Sequence, residues 1–190
     1  MDARQRRTRA RLFAAAIALA EEGPIAEVTM TRVARVAEVH RSTVYEHAGS
    51  PAELLRAALT APLDGVRSRF DDVSAADIDE RVREVTIEVF ELVARHADIY
   101  ARELDADGAN LRSMLGSHFA ATSRELMARG AIRVPFTVDG IDADELAASW
   151  FADAFVGVIA VWLRSGRRDT RALLVAVEQL YPDWWPGGTA

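Results

Sequence analysis

The chemistry open to this chain is narrowed first by the residue types it lacks. No cysteine occurs among its 190 residues and only four histidines do, which removes disulfides, thiolate nucleophiles and cysteine zinc sites together. The residues three before His47, His96 and His118 are Val44, Val93 and Leu115, so the Glu-x-x-His pairs of a di-iron carboxylate bundle are missing. A His-Glu-x-x-His zinc helix, a phosphate loop and a Gly-x-Ser-x-Gly elbow are missing as well. His96 is better explained as a helix-end residue and His118 as a pocket or helix-surface residue. No catalytic residue, metal site or cofactor is expected. A Ser-His-Asp group leaves no linear signature, so a small all-helical enzyme or ligand carrier without DNA binding stands as the alternative reading.

What the sequence offers instead is a local surplus of positive charge. Residues 1–60 hold nine arginines against seven acids, a balance of +2, although the whole chain carries −6. Arg4, Arg6, Arg7, Arg9 and Arg11 crowd the first turns of an otherwise acidic protein. Phosphate binding needs a cationic patch rather than a basic protein, so any polyanion contact belongs to this end. Every basic residue is arginine, which would meet phosphate with guanidinium forks instead of ammonium groups.

These charges are not followed by an apolar stretch and a small-residue cleavage site, so a signal peptide does not fit. The longest apolar run, Ala154 to Leu163, is well short of the roughly 20 residues of a membrane-spanning helix. It reads as buried helix in a cytoplasmic protein with no membrane partner. Half the residues are apolar, enough to bury a core and to make disorder unlikely as a class.

The elements that must position any site read as helices throughout, so the expected fold class is all-α. Arg4 to Glu22 sets Leu12, Phe13, Ala16, Ile17, Leu19 and Ala20 at helical spacing and stops at Gly23-Pro24. Thr29 is a fitting N-cap for a short helix to about Ala37. A third helix runs from His40 to about His47. Ser50-Pro51 reads as N-cap and first turn of a fourth, with Glu53 placed to close a capping box onto Ser50, and Pro62 is expected to kink or break it. Beyond lie helical patterns at Asp77 to His96, Ala97 to Leu104, Gly108 to Arg129, Asp142 to about Ser165 and Asp169 to Tyr181. Ile132-Arg133-Val134 could be briefly extended. The domain boundary is placed at residue 50: a three-helix module over 1–50, then a region of about six helices over 51–190.

Within the first module, Ala34, Glu38-Val39 and Val44 supply the frame of a helix-turn-helix: a small residue where two helices cross, a tight turn and an apolar anchor on the second helix. The run from Thr29 to His47, followed by Ser50 and Glu53-Leu54-Leu55, resembles the DNA-binding segment of tetracycline-repressor-family transcriptional regulators. The likeness covers roughly residues 8 to 60, and the remainder matches only in helix pattern. The resemblance implies a homodimer that binds a palindromic double-stranded DNA operator and is released by a small-molecule effector.

It also implies that the third helix enters the major groove. Arg41 is then the first candidate for a base contact, because its fork matches the two acceptors of guanine. His40 and Ser42 would add weaker base or phosphate bonds, and Thr43 would face the backbone. Tyr45 and His47 fall where the family contacts phosphate or base, while Thr29, Thr31 and Arg32 begin the second helix, where amides and hydroxyls suit phosphate. Four residues depart from the family pattern. Glu38 stands where glycine is favoured, at a cost of about 1 kcal/mol if φ is positive. Ala48 replaces a usual aromatic, Glu46 a common basic or aromatic residue, and Pro51 a frequent phosphate-binding lysine. The cationic arm from Arg4 to Arg11 would compensate by following the DNA backbone or entering the minor groove.

For the effector, the same resemblance points to Phe90, Tyr100, Met114, His118, Phe119, Trp150 and Phe151 as candidates for a pocket. For the dimer, the last two helices offer Phe155, Val158, Ile159, Trp162, Leu173, Val177, Leu180 and Tyr181, more apolar surface than a monomer keeps exposed. A helical adaptor that pairs through those helices is a third reading.

Overall fold

The computed structural model describes residues 3–74, 76–104, 106 and 110–187. The fold class is all-α. The helices are α1 (Ala3–Glu22), α2 (Met30–Val36), α3 (Arg41–His47), α4 (Pro51–Arg67), α5 (Ile78–Arg95), α6 (Ala97–Glu103), α7 (Leu111–Ala128), α8 (Ala143–Arg164) and α9 (Thr170–Glu178). Among the described residues the one strand-like feature is an isolated bridge between Val138 and Ile141. Ile132-Arg133-Val134 forms no strand, and the expected start of α7 at Gly108 lies outside the described residues.

Local side-chain caps set most boundaries. Asp142 accepts from the amides of Asp144 and Glu145 at the head of α8, and Asp169 from that of Ala172 at the head of α9, satisfying donors that the first helical turn leaves open. Ser50 accepts from the Glu53 amide at 3.1 Å. The Glu53 carboxylate accepts from Gly49 at 2.7 Å, so the reciprocal bond expected at Ser50 closes one residue earlier.

Of the kink or break expected at Pro62, the break does not occur. The helix continues to Arg67 and tightens into a 3₁₀ turn over Ser68–Phe70. A proline removes one amide from the ladder, while Leu59 and Leu63 beside it are both buried, and that apolar anchoring keeps the helical path.

Two compact units make up the chain: Met1–Pro62 with Asp98–Leu111, and Leu63–Ala97 with Arg112–Ala190. In the first, Leu12, Ala16, Leu19, Val33, Val44, Leu54 and Leu55 are buried. Its connection of 3₁₀ turn Ile25–Glu27 is held by a segment from mid-chain. The Ile25 amide donates to the buried Glu103 carboxylate at 3.0 Å, and the Arg102 guanidinium donates to the Ala20 carbonyl.

The second unit is centred on rings. Phe90 stacks on Phe155 at 5.4 Å, Phe119 meets Phe155 edge-on at 4.9 Å, and Phe151 stacks on Trp185 at 3.6 Å. Such pairs add to ordinary area burial. By length and composition α8, at 22 residues, would suit a bilayer, yet half of its most apolar stretch is buried inside this unit. Its inward face carries Ala152, Phe155, Val156, Ile159 and Leu163.

Candidate nucleic-acid interface and effector cavity

The turn between α2 and α3 is a Schellman closure. The Val39 amide donates to the Ala34 carbonyl at 3.0 Å and the Glu38 amide to that of Arg35 at 3.2 Å, which leaves Glu38 as the residue one step past the C-cap. Its φ is +50°, the left-handed region that favours glycine. The sequence condition for strain at Glu38 is therefore met. Arg11 reaches across from α1: its Nη2 donates to the Glu38 carbonyl and to the Glu38 carboxylate, each at 2.9 Å. That fork fastens the strained turn to the first helix. Ala34 and Val44, the small crossing residue and the apolar anchor, are both buried, Val44 completely.

With Val44 inward, the rest of α3 faces out. Arg41, Ser42, Tyr45 and Glu46 are exposed, and Thr43 and His47 are half-buried. Arg41 lies along Tyr45, its Nη2 donating to the phenol oxygen at 3.0 Å and its guanidinium carbon 5.4 Å from the ring centre, a cation–π pose that holds the fork outward. His40 is the N-cap of α3 and not its first residue: Nδ1 accepts from the Ser42 amide at 3.3 Å and lies 2.8 Å from the Ser42 hydroxyl. A neutral ring with Nδ1 accepting carries its proton on Nε2, so the outer edge presents a donor.

At the head of α2, Thr29 caps the helix by accepting from the Arg32 amide at 3.2 Å. Thr31 is exposed. Arg32 is tied to the Glu22 carboxylate of α1 at 2.5 Å, a pairing the linear pattern did not announce. All nine residues expected at a DNA surface thus lie on the edge formed by α2, its turn and α3, and none is fully buried. A further cationic surface flanks this edge: Arg4, Arg7, Thr8 and Arg11 of α1 line an open groove with His40 and Thr43.

The second unit holds a half-open apolar cavity of about 60 Å³ whose walls include Val82, Thr86, Phe119, Phe151, Phe155 and Trp185. Phe119 and Phe151 of the expected pocket set are among its lining. Phe90 is fully buried elsewhere in the ring cluster, Tyr100 is buried in the first unit, and Met114 and His118 are not part of the lining. Trp150 is 53% exposed. Burial pushes the Tyr100 phenol above its ordinary range, which keeps it neutral. Burial likewise holds the His118 imidazole below its usual 6.5, opposed by Asp64, whose carboxylate is 3.5 Å from Nδ1, and reinforced by Arg67. The lining residues Val82, Thr86 and Val89 follow the inward stripe of α5, a signal that periodicity carries. Trp185 comes from the C-terminal segment and has no such signal. Its indole N–H is buried without a partner among the described residues.

Of the side chains expected between subunits, Phe155, Ile159, Trp162 and Val177 are buried within the chain and Val158, Leu173 and Tyr181 are half-buried. Tyr181 turns inward, its hydroxyl 3.4 Å from that of Thr86, and burial raises its pKa to about 12. Among the apolar side chains left open on α8, on α9 and just past it, Trp150, Val161, Val175 and Leu180 are each more than half exposed.

Comparison with known proteins places this geometry. Residues 12–58 match the family model of bacterial regulatory proteins of the tetR family. No curated protein sequence matches the chain. Among solved structures, FadR from Thermus thermophilus, described as a TetR-family transcriptional repressor in complex with lauroyl-CoA, is 23% identical, with 95% of this chain and 100% of that one covered at a TM-score of 0.58. FadR from Bacillus subtilis, in complex with stearoyl-CoA, is 20% identical over 90% of this chain and 96% of that one, TM-score 0.58. NalD of Pseudomonas aeruginosa, the secondary repressor of the MexAB-OprM multidrug efflux pump, is 20% identical over 95% and 100%, TM-score 0.60. Residues 12–58, which hold the helix-turn-helix frame, accordingly match the model of tetR-family regulatory proteins, and the chain as a whole shares its fold with solved structures such as FadR and NalD.

Proposed function

We propose that the protein is a ligand-responsive transcriptional repressor of the cytoplasm, a homodimer that binds a palindromic operator through residues 1–50 and senses a small molecule through residues 51–190. The observation that carries the reading is the outward row on α3, with Arg41 braced on Tyr45 over a buried Val44. In that role Arg41 reads a guanine edge, and Ser42 and the His40 Nε2 donor add base or phosphate bonds. Thr29, Thr31, Thr43, Tyr45 and His47 hold the backbone. Two such helices on a dimer would meet successive major grooves about 34 Å apart, paired through the open faces of α8 and α9.

The effector seat in this reading is the apolar cavity. At about 60 Å³ it is far below the roughly 300–1,000 Å³ of an occupied small-molecule pocket, so a ligand must open it by moving Phe151 and Trp185. An apolar body with one hydrogen-bond acceptor suits the lining: its Thr122 and Ser123 hydroxyls already donate to the His118 and Phe119 carbonyls and Thr86 lies beside the Tyr181 hydroxyl, whereas the Trp185 N–H has no partner among the described residues. The acyl-CoA complexes of the two FadR proteins support an acyl chain as the first class to try. Ligand binding then favours a spacing of the two α3 helices that no longer fits DNA. Selection of genomic DNA fragments by the purified protein, followed by release with candidate compounds, tests both halves. Recovery of a palindrome whose binding weakens steeply with salt is expected; turnover of a small molecule without DNA affinity would select the enzyme alternative.

A further inference from the structure

Three arginines of α1, Arg4, Arg7 and Arg11, recur at spacings of three and four and so share one helical face, and that face lines the groove shared with His40 and Thr43 at the head of α3. All three are exposed. A row of guanidinium forks running up to the recognition helix has the charge and the hydrogen-bond geometry of a phosphate track. One of the three is already engaged. Arg11 commits its Nη2 to the Glu38 carbonyl and to the Glu38 carboxylate, which is itself 84% exposed. The carboxylate has no structural need to be there. Fastening the turn requires only the bond to the backbone carbonyl, and a left-handed φ is served better by glycine.

We infer that the groove is a DNA-phosphate subsite beside the major-groove contact, and that Glu38 restrains it by holding Arg11 as an internal counter-anion. The inference rests on the DNA-binding reading above and adds to it a second strip of contact and a built-in limit on its strength. The carboxylate acts twice: it engages the Arg11 Nη2 that would otherwise be free to meet a phosphate oxygen, and it places a negative charge where the DNA backbone approaches. The occupant is duplex DNA, recognised without regard to sequence, since only phosphate is read.

The experiment is a salt titration of the full-length protein binding a fluorescently labelled duplex of mixed sequence, with thermal melting of each variant as a control for folding. Each phosphate contact contributes about 0.9 to the slope of log affinity against log salt. The double variant R4A/R7A is expected to flatten that slope by up to about two contacts' worth. Glu38→Gln keeps a side-chain oxygen for Arg11 but removes the charge; it is expected to bind several-fold more tightly and to steepen the slope by about one contact. Arg11→Ala should change the slope little on its own and by about one contact in the Glu38→Gln background, a non-additivity that marks the coupling. Should Arg11→Ala fail to fold, the other two variants still decide the matter. If R4A/R7A and Glu38→Gln both keep the parent slope while Arg41→Ala weakens binding to a selected operator, the subsite is refuted and the DNA-binding reading survives. If the parent protein binds no duplex at all, both fall.

Discussion

The edge around α3 and the interior of the second unit hold their working residues in opposite ways. On the edge, several side chains are set by a polar contact close in sequence: His40 with Ser42, Arg41 with Tyr45, Thr29 with Arg32. Inside the second unit, rings from α5, α7, α8 and the C-terminal segment brace one another across long stretches of chain, as Phe90, Phe119 and Phe155 do. A surface that meets an external partner, as proposed for this edge, keeps its donors rigid without burying them. An interior that admits a guest, as the proposed function requires, relies on non-directional packing, which can yield by sliding rings without orphaning polar groups. The contrast assigns stability chiefly to one region and recognition to the other.

Substitutions can break that assignment. The largest effect is expected from Phe90→Ala, which removes a fully buried ring stacked on Phe155 and should lower unfolding free energy by about 3–5 kcal/mol in chemical denaturation; a loss below 1 kcal/mol would mean that the ring cluster is not the principal core. Next comes Arg41→Ala, for which a loss of about 1–3 kcal/mol in operator affinity and relaxed preference at one base pair are expected, with an unaltered melting temperature; an unchanged footprint removes the base-reading role. Thr29→Ala deletes the α2 cap and should cost about 1 kcal/mol of stability, seen as an earlier thermal midpoint. Glu38→Gly relieves about 1 kcal/mol of backbone strain and gives up an exposed ion pair worth up to about the same, so its melting temperature should stay close to the parent's while its DNA affinity rises.

The smallest effect concerns pH. Burial depresses the His118 pKa in the folded chain below the ordinary 6.5, so the unfolded chain takes up the proton first. Stability is then complete above about pH 6.5, falls as pH drops through it and levels off below the folded-state value. His118→Gln should flatten that limb of a pH-dependent melting curve; an identical limb would show that another group is responsible.

How much of this was open to reading from the residues follows the same division. Thr29 caps α2 as its type and place in the sequence imply, because capping is settled within three residues, while Asp142 and Asp169, read as the starts of their helices, are their caps. The crossing of α2 and α3 follows from Ala34 and Val44. The strain at Glu38 was readable as a departure from glycine, but Arg11, its partner 27 residues earlier, was not, since nothing local says where an exposed arginine will reach. For the cavity, only Phe119 and Phe151 of the expected set line it. A large side chain at helical spacing says that it is buried, not whether it borders a void, and voids depend on how four elements pack together. The persistence of α4 through Pro62 has the same origin: neighbouring leucines outweigh one missing amide.

One bond in the first unit governs how it can be made. Glu103, whose carboxylate takes the Ile25 amide, stands 78 residues further along the chain, and its neighbour Arg102 takes the Ala20 carbonyl. During synthesis the three amino-terminal helices therefore emerge from the ribosome long before the residues that complete them. An orphaned interior amide costs about 1–3 kcal/mol, a large fraction for so small a cluster. The nascent amino-terminal end must wait, unfinished, until the middle of the polypeptide arrives, and severing the gene after the fourth helix would deliver it permanently without its clasp.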